Sequence, residues 1–565
     1  MENKNPQKIS RLHFLKSAGI VTAGFSFIPG IISASLKDTL LGQQVANGTI
    51  ADYAIIIPAN ASDIEQQAAG QLKEYLSKLA SKPIEISKEG SAKVLNGIYI
   101  GKTQFALDNK TDFSKLPESG FKILSSGNNI LIAGGIKRGL FFGVYDFLES
   151  LGFRKYSPEN ASAPKDKTLK IDNVSKNFEP KIKYRTTSYS QMADQEYSDW
   201  HKLSSRDDWG LFVHTFNTLV PFQEYGKTHP EYYSLIDGKR QPGTQLCLSN
   251  PEVLRILVAS LKDKIKEKPN SSYWSVSQDD NDRYCQCDAC KSLNEKYGNV
   301  PSGSIIYFVN QVAREFPEKI ISTLAYWYSR KAPKNITIEP NVNIMLCNIE
   351  STRQAPVYVT DPEFSKDLRD WGALSKDIII WDYNIQFTNF VSPFPNLYTI
   401  KPNIKFYTDN HVNALFMQAN NEAAAEMALL RSYLICKLMW DPEADDKLII
   451  NEFLDGYFGV AAPFIRQYIE SMQDSLLKSG MVLSIFGDPI HAKNAYLSAE
   501  MMQEYKQLFD KAEQATASNP ELLARVKTAR LPIMYAEIQI GRTEIDTSRS
   551  MYSDKAMGLF FLNLK

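Results

Sequence analysis

The chain lacks an excess of charge: Lys and Arg together number 64, and so do Asp and Glu. A neutral balance provides no electrostatic footprint for a polyanion, so neither nucleic acid nor an anionic membrane surface is expected as a partner. Two hydrolase signatures are also missing. There is no Gly-x-Ser-x-Gly elbow and no His-Glu-x-x-His, which sets aside the serine and zinc hydrolases built on them. Gly134-Gly135 precedes a helical stretch, yet no Gly-x-Gly-x-x-Gly and no Lys-Ser/Thr follows, which excludes a phosphate loop. Beyond the N-terminus, no run is expected to be long and apolar enough to span a bilayer. Cysteine is sparse, at six, and three of the six crowd into Cys285-Gln-Cys287-Asp-Ala-Cys290.

What is present begins with size and aromatic content. A chain of 565 residues is too long for one ordinary core, so two to four domains are expected. Tyr, Phe and Trp make up 11% of it. Aromatics mostly fill cores, but flat rings also stack on the apolar faces of pyranoses. At the N-terminus, Lys4, Lys8, Arg11 and Lys16 precede an apolar run over 18–32, broken by Gly19, Gly24, Pro29 and Gly30, with small residues at 33–35. This reads as an export signal over 1–36. It resembles a twin-arginine signal in which Leu12 replaces the second arginine. No cysteine follows the run, so no lipid anchor is expected, nor stable membrane insertion once the signal is removed. The expected address is periplasmic or cell-surface.

Short apolar runs at 53–57, 97–101 and 129–133 alternate with helical spacing at 62–79 and 138–149, which predicts a small α/β domain over 50–172. From 181 to 460 the pattern repeats: strand candidates at 184–188, 211–214, 272–277, 321–326, 342–346, 377–381 and 414–417, with helical stretches between. Seven such units predict an α/β fold of the (β/α)8 TIM-like barrel class, with the eighth strand unplaced. Helical spacing at 462–477, 498–516 and 521–540 predicts a helical C-terminal region over 461–565.

The chemistry concentrates in Trp274-Ser-Val-Ser-Gln-Asp-Asp-Asn281. Strand interiors disfavour Asp and Asn, so Gln278 to Asn281 should mark a strand's carboxyl end. Paired carboxylates there suit acid/base work at a barrel mouth. The plainer alternative is a turn in which Asp279 or Asn281 caps the next helix. Other strand ends carry His214, then Tyr326 with Trp327, then Asn348 and Glu350 with Arg353, then Trp381 and Tyr383. Together these form a pocket in which Asp279, Asp280 and Glu350 are the candidate catalytic acids. His214, Gln278, Asn281, Tyr326, Trp327, Asn348, Trp381 and Tyr383 are the candidate substrate-binding residues. Cys285, Cys287 and Cys290 suggest either a local disulfide or a structural metal, with Cys247 or Cys347 as a fourth thiolate. In both cases they are expected to fix the loop presenting the aspartates. No catalytic metal and no cofactor are expected.

Several motifs resemble one family: Thr228-His-Pro-Glu-Tyr-Tyr-Ser-Leu-Ile-Asp-Gly-Lys-Arg240, Gln245-Leu-Cys-Leu-Ser-Asn-Pro-Glu-Val253, the block from Ser277 to Cys290, and Trp440-Asp-Pro with Tyr457-Phe-Gly459. They are similar to glycoside hydrolase family 163, earlier catalogued as uncharacterised-domain family 4838. Arg138 to Glu149 is similar to the small domain preceding the barrel in α-glucuronidases and β-hexosaminidases. The resemblance implies an endo-β-N-acetylglucosaminidase acting on the chitobiose core of N-glycans, with a glycan or glycoprotein as substrate. The adjacent aspartates resemble the pair used in substrate-assisted cleavage of N-acetylglucosaminides, with Asp280 or Glu350 as general acid. A non-catalytic carbohydrate-binding protein and an exo-glycosidase are the alternatives.

Overall fold

The computed structural model describes residues 50–544 apart from 81–82, 92–95, 136–137, 160, 165–172 and 420–424. The export signal expected over 1–36 lies outside the described residues, as do residues 545–565.

The first layer is a six-stranded sheet, in the order Ile86–Lys88, Ala54–Ile57, Gly97–Ile100, Asn129–Gly134, Phe121–Ser126, Ser175–Phe178. Its last strand lies beyond residue 172, so the sheet outruns the boundary expected from sequence. The helix Asp63–Ser77 starts on a capping box, Ser62 accepting from the Glu65 amide while the Glu65 side chain reaches back. The helix Gly139–Ser150 is buried along most of its length. Near its end stands Glu149, whose carboxylate takes ion pairs from Lys202 at 2.9 Å and Lys437 at 2.6 Å. These contacts clamp the layer to the later part of the chain.

The seven strands expected between residues 181 and 460 are all present: β1 (Tyr184–Thr187), β2 (Trp209–Leu211), β3 (Tyr273–Ser275), β4 (Ile320–Ala325), β5 (Val342–Cys347), β6 (Ile378–Tyr383) and β7 (Ala414–Gln418). They form one parallel sheet in the order β2-β3-β4-β5-β6-β7-β1. Pairing of the last strand with the first, Met417 opposite Thr187, shows that the sheet curls round on itself. All six residues of β5 are buried, as expected of a parallel strand covered on both faces.

Two expectations are corrected here. No eighth strand joins this sheet among the described residues, and no ladder joins β1 to β2. That edge of β1 is instead satisfied by a loop: the Ser204 amide donates to Arg185 O at 2.9 Å, and the Arg185 amide to Ser204 Oγ at 3.0 Å. Aromatic rings fill the seam, with Tyr184 5.4 Å from Tyr273 and Trp209 stacked 4.9 Å from Tyr273. The second strand also ends earlier than expected, at Leu211 instead of 214. It carries Gly210, where a Cβ would lie 2.3 Å from the Trp274 ring. Beyond it the chain turns, the amides of Thr215 and Phe216 both donating to Ser277 O. His214 thus sits on a loop against the carboxyl end of β3.

The helices Ala462–Ser479, Ala499–Thr516 and Pro520–Glu544 form the expected C-terminal layer. The stretch Asp446–Ser479 meets the length and composition of a spanning helix, contrary to the sequence expectation. Its Phe453, Leu454, Ile465 and Tyr468 are buried in the main core, while Leu448, Val460 and Leu477 are exposed.

Trp440 ends the helix Ala428–Trp440 and projects into the first layer. Its ring stacks 4.6 Å from Phe178 and meets Phe142 edge-on at 5.6 Å, with the buried Arg185 guanidinium 5.1 Å away. Replacing Trp440 with Ala is expected to lower unfolding stability by ~3–5 kcal/mol, because a large cavity opens between two layers. Urea titration measures this. A loss below ~1 kcal/mol would show that the layers are held together elsewhere.

Candidate active site

β3 is short because it ends in polar residues. Ser275 and Ser277 bond each other at 2.9 Å, and Gln278 is fully buried with its Nε2 donating to Ser329 Oγ at 2.7 Å. The two carboxylates then diverge. Asp279 turns inward, where its Oδ1 accepts from the Asn217 amide at 3.2 Å. Burial raises its pKa from 3.8 to about 6, against the lowering effects of that hydrogen bond and of His214. Asp280 faces solvent, its side chain 63% exposed, and accepts from Tyr326 Oη at 3.3 Å. Adjacent acids therefore occupy unlike environments, one largely desolvated and the other open to water.

His214 stands beside both. Its Nδ1 lies 2.6 Å from Gln278 O. A carbonyl only accepts, so Nδ1 carries a hydrogen, and Nε2 lies 3.9 Å from Asp280 Oδ1. Trp327 stacks on Tyr326 at 5.1 Å, with 8° between the rings, and remains 45% exposed. It also walls a 440 Å³ cavity lined by Arg330, Lys331, Glu350, Ser351, Thr352, Thr360, Asp361 and Glu363. Glu350 lies there, accepting from Arg330 Nη1 at 3.2 Å. Tyr326 is the bridge between the two regions: burial chiefly raises its pKa, and the charges of both Asp280 and Glu350 add to the effect.

Some residues singled out from sequence do other work. Asn281 forms a local turn, its Oδ1 accepting from the Arg283 amide at 3.1 Å, and caps no helix, the next one starting at Asp288 behind Cys287. Asn348 is fully buried, donating to Asp382 Oδ1 and to Tyr407 Oη at 2.8 Å each and accepting from Arg353 at 3.0 Å. It has no surface for a ligand. Tyr383 is buried as well, stacked 5.9 Å from Trp381. Trp381 is half-buried, its Nε1 donating to Gln418 at 2.5 Å, and packs against Phe212 and Phe416. Burial raises the proton affinity of Asp279, the more desolvated member of the pair.

Sequence reasoning missed Gln245. Its Nε2 donates to Asp279 O at 2.7 Å and Asn281 O at 2.8 Å, and its Oε1 accepts from the Asp279 amide at 3.0 Å. One buried amide thus holds the acid loop by three bonds. Arg330, missed too, gathers Glu350, Asp361, Glu363 and Asp367 around one guanidinium. The four cysteines 247, 285, 287 and 290 meet behind the loop, which settles the fourth position on Cys247. Cys347 is buried in β5, apart from them.

Among solved structures, the chain is similar to CpGH84B, with TM-score 0.48 and 13% identity over 94% of this chain and 93% of that one. It is similar to a GH138 enzyme targeting pectin rhamnogalacturonan II, with TM-score 0.44 and 12% identity over 91% and 73%. A third likeness is to the beta-N-acetylhexosaminidase from Bacteroides fragilis NCTC 9343, with TM-score 0.42 and 12% identity over 70% and 89%. No curated protein matches the chain. Likenesses this distant assign no activity. Over residues 155–470, more than half its length, the chain matches the family described as Domain of unknown function (DUF4838), and to that family it belongs.

Proposed function

We propose that the protein is an exported glycoside hydrolase that cleaves β-linked N-acetylglucosaminides, acting as an endo-β-N-acetylglucosaminidase on N-glycan-type substrates. The observation that carries this reading is the unequal pair at the carboxyl end of β3, Asp279 half-buried with a pKa of about 6 and Asp280 exposed beside Tyr326. In the proposed reaction the substrate's own acetamido oxygen attacks the anomeric carbon. Protonated Asp279 gives its proton to the departing glycosidic oxygen, and ionised Asp280 orients the acetamido group and balances its developing charge. Water then opens the cyclic intermediate, returning a proton to Asp279. Trp327 and Tyr326 offer a ring face to a sugar, and His214 lies within reach of the same space. The choice of N-acetylglucosaminide rests on the sequence resemblance, and the periplasmic or cell-surface address on the N-terminal signal.

Glu350 takes a different part. Its bond to Arg330 and its place in the neighbouring cavity suit it to hold sugar hydroxyls. Asp280→Asn is therefore expected to lower kcat by ~10²–10³-fold. Glu350→Gln is expected to raise KM several-fold with kcat nearly kept, the mark of lost binding in ground and transition states alike. Mass spectrometry of products from an N-glycosylated protein tests the whole reading. Release of an intact glycan supports it, release of monosaccharides favours an exo-glycosidase, and binding without product favours a carbohydrate-binding protein.

A further inference from the structure

Behind the acid loop, the sulfur atoms of Cys247, Cys285, Cys287 and Cys290 all lie within 4.8 Å of one another. Cys247 Sγ is 3.7 Å from Cys287 Sγ and 4.0 Å from Cys290 Sγ. Four sulfurs at the zinc–thiolate bond length of about 2.3 Å form a tetrahedron with edges of about 3.8 Å. A disulfide instead needs its two sulfurs about 2.05 Å apart, so each pair would have to close considerably. All four side chains are buried. They come from two chain segments, one leading into the helix Pro251–Glu267 and one running into the helix Asp288–Lys296.

The surroundings suit an anionic thiolate cluster. The Leu235 amide donates to Cys285 Sγ at 3.3 Å, and Arg240 Nη1 lies 3.8 Å from the same sulfur. Ser249 Oγ lies 3.2 Å from Cys290, 3.5 Å from Cys247 and 3.6 Å from Cys287. Cys287 caps the helix Asp288–Lys296 and Cys290 sits in its first turn, where the helix dipole favours negative charge. Four thiolates on a divalent cation leave two negative charges, which Arg240 and these donors offset.

We infer that these four cysteines bind one zinc ion, and that this ion fixes the acid loop. With four protein ligands the site is closed, so its role is structural. The mechanical link is Gln245. It lies two residues from Cys247 and holds the backbone of Asp279 and Asn281, while Cys285 follows the same loop. The cation therefore ties both ends of the segment that aims the carboxylates. The metal inference stands apart from the proposed activity; only its consequence for catalysis rests on that reading.

The test uses the full chain, purified without chelator and then incubated with zinc. Elemental analysis is expected to find one zinc per chain, retained in Cys347→Ser and Cys436→Ser and lost in Cys287→Ser. Substitution with cobalt should give the thiolate charge-transfer and visible bands of a tetrahedral sulfur site, a readout that stands even if Cys287→Ser does not fold. Removing zinc is expected to speed amide exchange in the peptide 278–287 by about tenfold or more, whether or not any substrate is cleaved. Mapping of the unreduced protein to two disulfides among these four cysteines overturns the inference. So does a chain that stays free of metal after incubation with zinc. Zinc binding with unchanged exchange at 278–287 removes the link to the acid loop.

Discussion

Asp279→Asn is expected to lower kcat by ~10³-fold while making the protein more stable at neutral pH. Both effects have one origin. The carboxyl is desolvated, and its pKa stands at about 6 in the fold against an ordinary 3.8. As pH rises between those values, the unfolded chain gives up its proton while the folded one keeps it. The folded state then binds more protons, so stability falls across this window and stays reduced above it. Allowing for partial access of water, the deficit is on the order of 2 kcal/mol. Asparagine removes the charge, and its Oδ1 can still accept from the Asn217 amide. Denaturant titrations should therefore find the variant more stable at about pH 7.5 and indistinguishable at about pH 3, where both states of the wild-type carboxyl are largely protonated. In the wild type, hydrolysis that needs protonated Asp279 should decline as pH rises through about 6. A variant less stable at both pH values would show that Asp279 is a structural anion. A variant retaining turnover would remove it from the reaction.

How much of this was legible in the sequence depends on what each residue's neighbours contribute. The seven strands were visible because parallel strands covered on both faces need largely apolar runs, as in Val342–Cys347 and Ile378–Tyr383. The aspartates were visible because strand interiors disfavour Asp, so Asp-Asp marks where a strand stops. The seam between β1 and β2 was hidden, since it depends on Ser204 and three aromatic rings occupying the place of a strand. Asn348 and Gln245 were exchanged for the same reason. Both are amides with partners far along the chain, and only the fold shows that one meets Asp382 and the other the backbone of Asp279. The motif containing Gln245 and Cys247 was conspicuous, but its partner is the loop thirty-odd residues later. The relative burial of Asp279 and Asp280 also lay beyond reach, because adjacent residues at a strand end are separated by how the loop folds, not by spacing.

A loss of stability as large as that at Trp440 is expected at Asp382, between the Trp381 and Tyr383 that the sequence assigns to the sugar site. Asp382 is fully buried near the carboxyl end of β6. Its Oδ1 accepts from Asn348 and from the Tyr383 amide, both at 2.8 Å, and its Oδ2 from Tyr407 Oη at 3.1 Å. Arg353 approaches Oδ1 at 3.5 Å, 1% exposed, and spends its other donors on carbonyls: Tyr383 O at 2.7 Å, Asn348 O at 3.1 Å, and Ser351 O. A buried pair of this kind adds little over well-packed apolar groups, since desolvation offsets most of the attraction. Removing only the anion is another matter, because the guanidinium keeps its charge and has no route to water. Asp382→Ala is expected to destabilise by ~3–5 kcal/mol, and Asp382→Asn, which preserves the shape, by nearly as much. Asn348→Ala should cost less, ~1–3 kcal/mol, as a lost neutral bonding group. The decisive comparison is Asp382→Ala with Arg353→Met in one chain. If the single losses come from a stranded charge, the double variant should recover a good part of what Asp382→Ala loses. A double variant as unstable as the sum of its parts would show that the two side chains act independently, through packing alone.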